Sequence, residues 1–261
     1  MSPAELVKLA EVKGLAAVAL TDHNTSKGLP EFMSAAEQSG VIGVPGCEFS
    51  TDYDGTELHI VGLFFPKESW SEIEDYVELA KMAKRNSNRK LIEALQADGY
   101  DVSYEEAAAL TDSDTFNRAH VARVLLAKGQ IESVADAFNT ILKEGNGYYV
   151  AAKRLSALLT IRFIKSYGGV AVLAHPFLNL DYDGLLRFLP LAKDEGLDAI
   201  ETLYSTFDEA TTGKAFELAS MFDLKMSGGS DFHGAAKPDI DLGTGRGNLR
   251  VPFEFYEALK P

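Results

Sequence analysis

The sequence has little cysteine, little positive charge and no long apolar run. Its single cysteine, Cys47, excludes an internal disulfide, which fits a reducing compartment, and we expect a cytoplasmic protein. No apolar stretch reaches the ~18 residues that a membrane-spanning helix needs. The N-terminal segment lacks the basic region and the apolar centre of a signal peptide. The sequence therefore predicts no membrane association.

Positive charge is outnumbered throughout the sequence. Twenty-five Lys and Arg stand against 39 Asp and Glu, which gives a net charge of −14. So acidic a protein repels duplex nucleic acid over long range. A small phosphorylated substrate is still compatible with this charge, because bound divalent metals can reverse the local field. The composition gives no indication of oligomeric state.

The 261 residues suffice for one large α/β domain, with or without an insertion. Short apolar runs alternate with helical patterns near both ends of the sequence, which predicts strands of a parallel sheet. Before residue 67, Asp52-Tyr53-Asp54-Gly55 indicates a hairpin turn. The segment 67–154 then has helical patterns and no strong strand signal. We therefore predict a discontinuous barrel domain, 1–66 with 155–261, and an all-helical insertion at 67–154.

Several of the apolar runs end in a side chain that can bind a metal ion. These side chains are His23, Glu48, His175, and Asp231 with His233. In a β/α barrel the carboxyl ends of the strands form one rim, where active sites are found, so these residues would meet there. His59 lies early in its own predicted strand. Imidazole and carboxylate together suit Zn, Mn or Fe(II).

Each candidate ligand also has a plainer explanation. A single histidine near a strand end is more often a hydrogen-bonded polar residue than a ligand. Glu48 could be a loop carboxylate or a helix cap, and Asp231 could cap the turn after it. These explanations would have to coincide at one strand end after another, so together the residues favour a metal site.

The ordered motifs resemble those of a known family. Thr21-Asp22-His23-Asn24, Gly46-Cys47-Glu48, His59, Ala174-His175-Pro176 and Ser230-Asp231-Phe232-His233 resemble the motif series of the PHP (polymerase and histidinol phosphatase) superfamily. The resemblance is closest to its bacterial stand-alone phosphoesterases, which carry a helical insertion. It implies a distorted, TIM-like β/α barrel with up to three divalent metal ions. It also implies hydrolysis of phosphate monoesters of nucleotides or short single-stranded oligonucleotides by metal-activated water.

The resemblance implies a role for each ligand. Glu48 would bridge two metal ions, and His59 and His175 would complete one of these sites. His23 and His233 would bind another ion. Asp231 would bind the remaining ion, beside Glu48.

The predicted insertion contributes a further motif. Phe116-Asn117-Arg118-Ala119-His120 resembles the family's Arg-x-His segment, which implies that Arg118 and His120 contact the substrate phosphate. A guanidinium suits this role because it pairs with two phosphate oxygens at once. The plainer alternative is that both residues lie on an exposed helix near its N-terminus.

The chain departs from the family's pattern at its beginning. Relatives open with a strand carrying His-x-His and a Ser-Asp-Gly turn, whereas this sequence begins at Met1-Ser2-Pro3. We therefore expect a barrel without its first strand. The site of Glu48, His59 and His175 would keep its full ligand set, and the two other sites would be depleted. A start codon placed too late, or a shortened chain, is the simplest expectation.

Two other functions remain open from the sequence. The chain could be a non-catalytic or impaired protein that binds metal or nucleotide, because the first ligand motif is missing. It could also be another metal-dependent hydrolase, such as an amidohydrolase on a related barrel. Metal content, phosphate release and amide cleavage distinguish these possibilities.

Overall fold

A computed structural model describes residues 1–111 and 115–261. The chain divides into two compact units, which we call the barrel unit (residues 1–75 and 155–261) and the helical unit (residues 76–154). The two units divide between Asp75 and Tyr76, inside a long helix. That the segment 67–154 is an inserted domain stays a prediction. Among the described residues, no helix has both the length and the apolar character needed to cross a bilayer.

The regular elements alternate along the barrel unit and are helical in the described part of the helical unit. The strands are β1 (Ala17–Leu20), β2 (Ile42–Tyr53), β3 (Thr56–Leu63), β4 (Leu155–Ser156), β5 (Val170–Leu173), β6 (Ala199–Tyr204) and β7 (Lys225–Gly229). The α-helices are α1 (Pro3–Val12), α2 (Leu29–Glu37), α3 (Trp70–Ala97), α4 (Tyr104–Ala108), α5 (Arg118–Ala127), α6 (Val134–Asn139), α7 (Ala157–Ser166), α8 (Tyr182–Asp194), α9 (Glu209–Met221) and α10 (Phe253–Leu259).

The strands of the barrel unit form one mixed sheet in the order β1-β2-β3-β5-β6-β7, with β4 beside the end of β2. The β1–β2, β5–β6 and β6–β7 pairs are parallel, as the alternation predicts. Strand β3 is antiparallel to both neighbours, so the sheet is not parallel throughout. The cause is the predicted hairpin: Asp54 and Gly55 both have positive φ, which lets a two-residue turn reverse the chain.

Local sequence explains how the helices cover the sheet. Helix α1 begins at a capping box, in which Ser2 and Glu5 satisfy each other's backbone N–H groups, with Pro3 in the first turn. Its buried face packs with β1 and α2 in one apolar cluster. Helix α2 comes so close to β2 that a Cβ on Gly43 would lie 2.6 Å from the Cβ of Ala36. Glycine at this position is therefore a packing requirement.

The helical unit has an apolar core of its own. Residues from α3, α5 and α6 form it, with Leu95 and Leu125 fully buried. The side-chain amide of Asn88, also fully buried, donates a hydrogen bond to the carbonyl of Phe116 at 2.8 Å. Polar and apolar contacts within this unit thus fix Phe116, two residues before α5.

Candidate metal centre

Three predicted ligands meet around one carboxylate oxygen. Glu48 Oε1 lies 2.8 Å from His59 Nδ1 and 3.1 Å from His175 Nε2, and these two nitrogens are 3.2 Å apart. Glu48 lies in β2 and His59 in β3, where His59 is paired with Ser50, two residues beyond Glu48. Because alternate residues of a strand share a face, the hairpin puts both side chains on one side of the sheet.

The other oxygen of Glu48 lies beside His23, and His23 in turn faces His233. His23 Nε2 lies 3.8 Å from Glu48 Oε2 and 3.4 Å from His233 Nε2. The ring nitrogen Nδ1 of His233 donates to the backbone carbonyl of Asp231 at 2.9 Å, which leaves its Nε2 as the lone-pair nitrogen. Two imidazole nitrogens that face each other in this way suit a cation between them.

The spacing of these atoms fits metal coordination. Ligand nitrogens and oxygens bind Zn²⁺ at about 2.0–2.2 Å, so two ligands of one ion lie roughly 3 Å apart. The atoms around Glu48 Oε1 meet this condition, and His23, Glu48 and His59 offer atoms within 4.8 Å of one another. The donors are imidazole and carboxylate, which suit Zn, Mn or Fe(II). The residues present therefore fit divalent ions on both sides of Glu48.

The protonation of the cluster favours cation binding. Burial acts to raise the pKa of Glu48, but hydrogen bonds from His175 and His59 outweigh it and hold this pKa well below its usual range. Burial lowers the pKa of His23, and the charge of Glu48 offsets this only in part. For His59 the hydrogen bond and charge of Glu48 outweigh burial and raise the pKa. Glu48 is therefore ionised and offers its negative charge to a cation.

The backbone of His175 is held by a buried carboxyl group. His175 has a φ of 27°, in the left-handed region that non-glycine residues rarely adopt. Its N–H donates to Glu201 Oε2 at 2.6 Å, and Glu201 is buried in β6. Burial raises the pKa of Glu201 well above its ordinary value. The sequence analysis assigned Glu201 no role, although it follows an apolar run in the same way as the predicted ligands.

Asp231 joins the cluster through its neighbours. Its Oδ2 accepts hydrogen bonds from Tyr204 Oη at 2.7 Å and from Lys237 Nζ at 2.5 Å, and its Oδ1 is 3.2 Å from His233 Nδ1. Burial and the bond to Asp231 raise the pKa of the Tyr204 phenol, which is therefore a neutral donor. The sequence analysis missed both donors: Tyr204 ends β6, where the strand-end pattern could have identified it, but no signal marks Lys237.

Arg118 and His120 lie in the helical unit, at the start of α5. Arg118 donates from Nη1 to the carbonyl of Leu142 at 2.7 Å, and its guanidinium lies 4.1 Å from the centroid of the Tyr149 ring. His120 Nδ1 accepts from the backbone N–H of Asn117 at 3.1 Å, which closes a capping box. Both side chains thus stabilise their own unit, and their contact with a phosphate stays a prediction.

A cavity of about 620 Å³ in the barrel unit opens onto the predicted metal ligands. Its polar part includes His23, Glu48, His175, Asp231 and His233, and its walls include residues of β1 and β7, the two ends of the sheet. Pockets of this size take small ligands, and a few convergent polar groups fix their orientation. The cavity therefore has room for a phosphorylated substrate next to the ligand cluster.

Comparison with known proteins agrees with this geometry. Residues 1–160 match the PHP domain. The chain is 31% identical over 234 residues to a 5′-3′ exoribonuclease of Haemophilus influenzae, covering 89% of this chain and 85% of the relative. It is 28% identical over 261 residues to a 3′,5′-nucleoside bisphosphate phosphatase of Chromobacterium violaceum, covering 93% of this chain and 86% of the relative.

Two solved structures are similar over 99% of this chain, each at 25% identity. One, described as a metal-dependent phosphoesterase of Bifidobacterium adolescentis, has a TM-score of 0.72 with 90% of its chain covered. The other, an amidohydrolase of Chromobacterium violaceum with bound sulfate and no metal, has a TM-score of 0.73 with 92% covered. These likenesses confirm the predicted β/α barrel of the PHP type.

Proposed function

Because this chain belongs to the PHP domain family and is a metal-dependent phosphoester hydrolase, we propose that its substrates are phosphorylated nucleotides or short single-stranded oligonucleotides. We further propose that His23, Glu48, His59, His175, Asp231 and His233 are its metal ligands.

The arrangement of Glu48 carries this proposal. Its Oε1 lies beside His59 and His175 and its Oε2 beside His23, so this buried carboxylate and its histidines would hold divalent ions. When bound, the ions would supply Lewis acidity and an activated water.

The protein's own side chains would position the reaction. Glu48 stays ionised and holds both ligand pairs, while Glu201 fixes the backbone of His175. Arg118 and His120 are proposed to orient the phosphate, since Arg pairs with two of its oxygens. The acidic barrel repels a polyanionic duplex, which favours small or single-stranded substrates.

Metal content and substrate choice test the proposal together. The protein is stripped with a chelator, reloaded separately with Mn²⁺, Zn²⁺ or Fe²⁺, and supplied with a nucleoside 3′,5′-bisphosphate, a 5′-phosphorylated oligoribonucleotide or a DNA duplex. We expect phosphate or mononucleotide release from one of the first two substrates, only after reloading. Metal uptake without phosphoester hydrolysis would instead identify a binding protein.

Amide hydrolysis is a second candidate, favoured by the structural likeness to an amidohydrolase. The same reloaded protein is assayed with N-acyl amino acids. Amide cleavage without release from phosphate esters would replace the phosphoesterase proposal.

A further inference from the structure

The ammonium group of Lys237 forms an ion pair with Asp231, one of the proposed metal ligands. Lys237 Nζ lies 2.5 Å from Asp231 Oδ2, and the Asp231 side chain is only 13% exposed. Glu48 and Glu201 lie buried in the same cavity wall, so a buried charge on Asp231 needs a counterion. In this structure Lys237 provides it.

The two donors to Asp231 Oδ2 differ in charge and in freedom. Tyr204 is a neutral phenol that extends from the end of β6. Lys237 follows the short turn Gly234–Ala236, and its side chain is 42% exposed. A lysine ammonium at the end of a flexible, partly hydrated stem can leave at little cost. The phenol can keep its hydrogen bond while the ammonium departs.

The backbone under Asp231 is fixed by neighbouring contacts. Ser205 Oγ donates to the carbonyl of Ser230 at 2.6 Å, and Ser230 Oγ accepts from the N–H of Gly243 at 3.3 Å. Asp231 itself has a φ of 54°, a conformation that the surrounding structure must maintain. A change of partner at its carboxylate therefore needs movement of the lysine side chain alone.

We propose that Lys237 is an internal cation that holds Asp231 in place until a divalent metal ion displaces it. Loading of the Asp231 position is then an exchange of one ammonium for one divalent ion. The inference rests on the proposed metal-binding function of this cluster. It assigns Lys237 a positioning role and predicts that it competes with metal.

Four proteins test the exchange: the parent, Lys237→Met, Lys237→Arg, and Lys193→Met as the control. Lys193 is a lysine of similar exposure that pairs with the exposed Asp223, and it precedes β6, away from the ligand-bearing strand ends. Mn²⁺ affinity is measured by calorimetry, and Tm is measured with chelator and with saturating Mn²⁺.

We expect Lys237→Met to bind Mn²⁺ about two- to fivefold more tightly, because the ion no longer has to displace an ammonium group. This range corresponds to the strength of a partly exposed ion pair. Its Tm falls in chelator but matches the parent in Mn²⁺, whereas a lysine with only a structural role would lower both. Lys237→Arg keeps the ion pair and should bind Mn²⁺ no more tightly than the parent. Lys193→Met should leave the affinity unchanged.

A double variant locates the effect. In an Asp231→Asn background, Lys237→Met should no longer change the Mn²⁺ affinity, because the competing carboxylate is gone. If the parent binds Mn²⁺ and Lys237→Met has the same affinity, the exchange is wrong and the proposed function stands. If the parent binds no divalent ion, the metal centre itself is wrong, and the exchange falls with it.

Discussion

The barrel unit and the helical unit divide the charge of the chain unequally. Residues 76–154 contain 11 basic and 11 acidic side chains, whereas the barrel unit contains 14 and 28, so the whole net charge of −14 belongs to the barrel unit. Four of the five histidines are there as well. The excess of acidic over basic side chains is therefore confined to the unit that holds the proposed metal centre.

Several charged side chains described in the helical unit have partners close by. Lys128 pairs with Asp101 and Glu106, and Arg118 lies on the ring of Tyr149. Glu48, in the proposed metal centre, is instead paired with three histidines. The helical unit therefore has balanced formal charge, whereas the barrel unit carries an acidic excess that suits the proposed metal centre.

The largest effect is expected from a substitution that removes the central proposed ligand of the barrel unit. Glu48→Gln keeps the shape of the side chain but loses its charge, so we expect metal content and phosphoester hydrolysis to fall about 100-fold or more. Metal analysis and phosphate release measure this. Glu217→Gln, on the exposed side of α9, is the control and should have no effect. Full metal content in Glu48→Gln would show that Glu48 is not a metal ligand.

The next effect concerns the stability of the helical unit. Leu95 is fully buried in its core, so Leu95→Ala should lower the free energy of unfolding by about 2–5 kcal/mol. Urea unfolding measures the loss, and Leu110→Ala, at a side chain that is 46% exposed, should change little. Metal affinity should stay at the parent value. A parallel loss of metal affinity would show that the two units are not separable in this sense.

A smaller effect tests whether the helical unit also serves the reaction. Arg118→Ala removes a cation–π contact and a hydrogen bond, which should cost about 1–2 kcal/mol of stability. If Arg118 also binds phosphate, Arg118→Lys should raise KM roughly tenfold with little change in kcat, since lysine cannot pair with two oxygens. Arg123→Ala, exposed on the same helix, is the control. An unchanged KM in Arg118→Lys would leave Arg118 with its structural role alone.

The smallest effect concerns a helix cap in the helical unit. Ser103→Ala removes the N-cap of α4 and should cost about 1 kcal/mol. Hydrogen bonds from Lys128 and then Ser103 lower the pKa of Glu106 from its ordinary value of 4.5. The contribution of its ionised carboxylate is therefore complete above the unfolded pKa and is lost as the pH falls through the lowered one. Thermal melts at pH 7 and pH 3 should show a smaller mutational cost at pH 3; an equal cost would contradict this coupling.

The strand ends were the part of the site that the sequence could predict. His23, Glu48, His175 and His233 follow apolar runs, and strands of a barrel bring such positions to one rim. His59 lies in the first half of β3 and not at its end. It still reaches the same rim because β3 runs antiparallel to its neighbours.

The contacts to Asp231 and His175 could not be predicted in the same way. Lys237 lies six residues beyond Asp231, in a turn with no periodic pattern, and its side-chain conformation decides the contact. Glu201 is a hydrogen-bond acceptor for the backbone of His175 because His175 has a positive φ, which residue spacing does not reveal. Topology was therefore predictable, whereas the local geometry that orients the ligands was not.

The hairpin formed by β2 and β3 has a consequence for the order of assembly. Glu48 and His59 are 11 residues apart in the chain, whereas Glu48 and His175 are 127 apart. Short loops close faster and lose less chain entropy than long ones. We therefore expect a nascent chain to pair these two ligands while most of the sheet is still unformed. Availability of metal during synthesis would then affect the yield of folded protein as well as its activity.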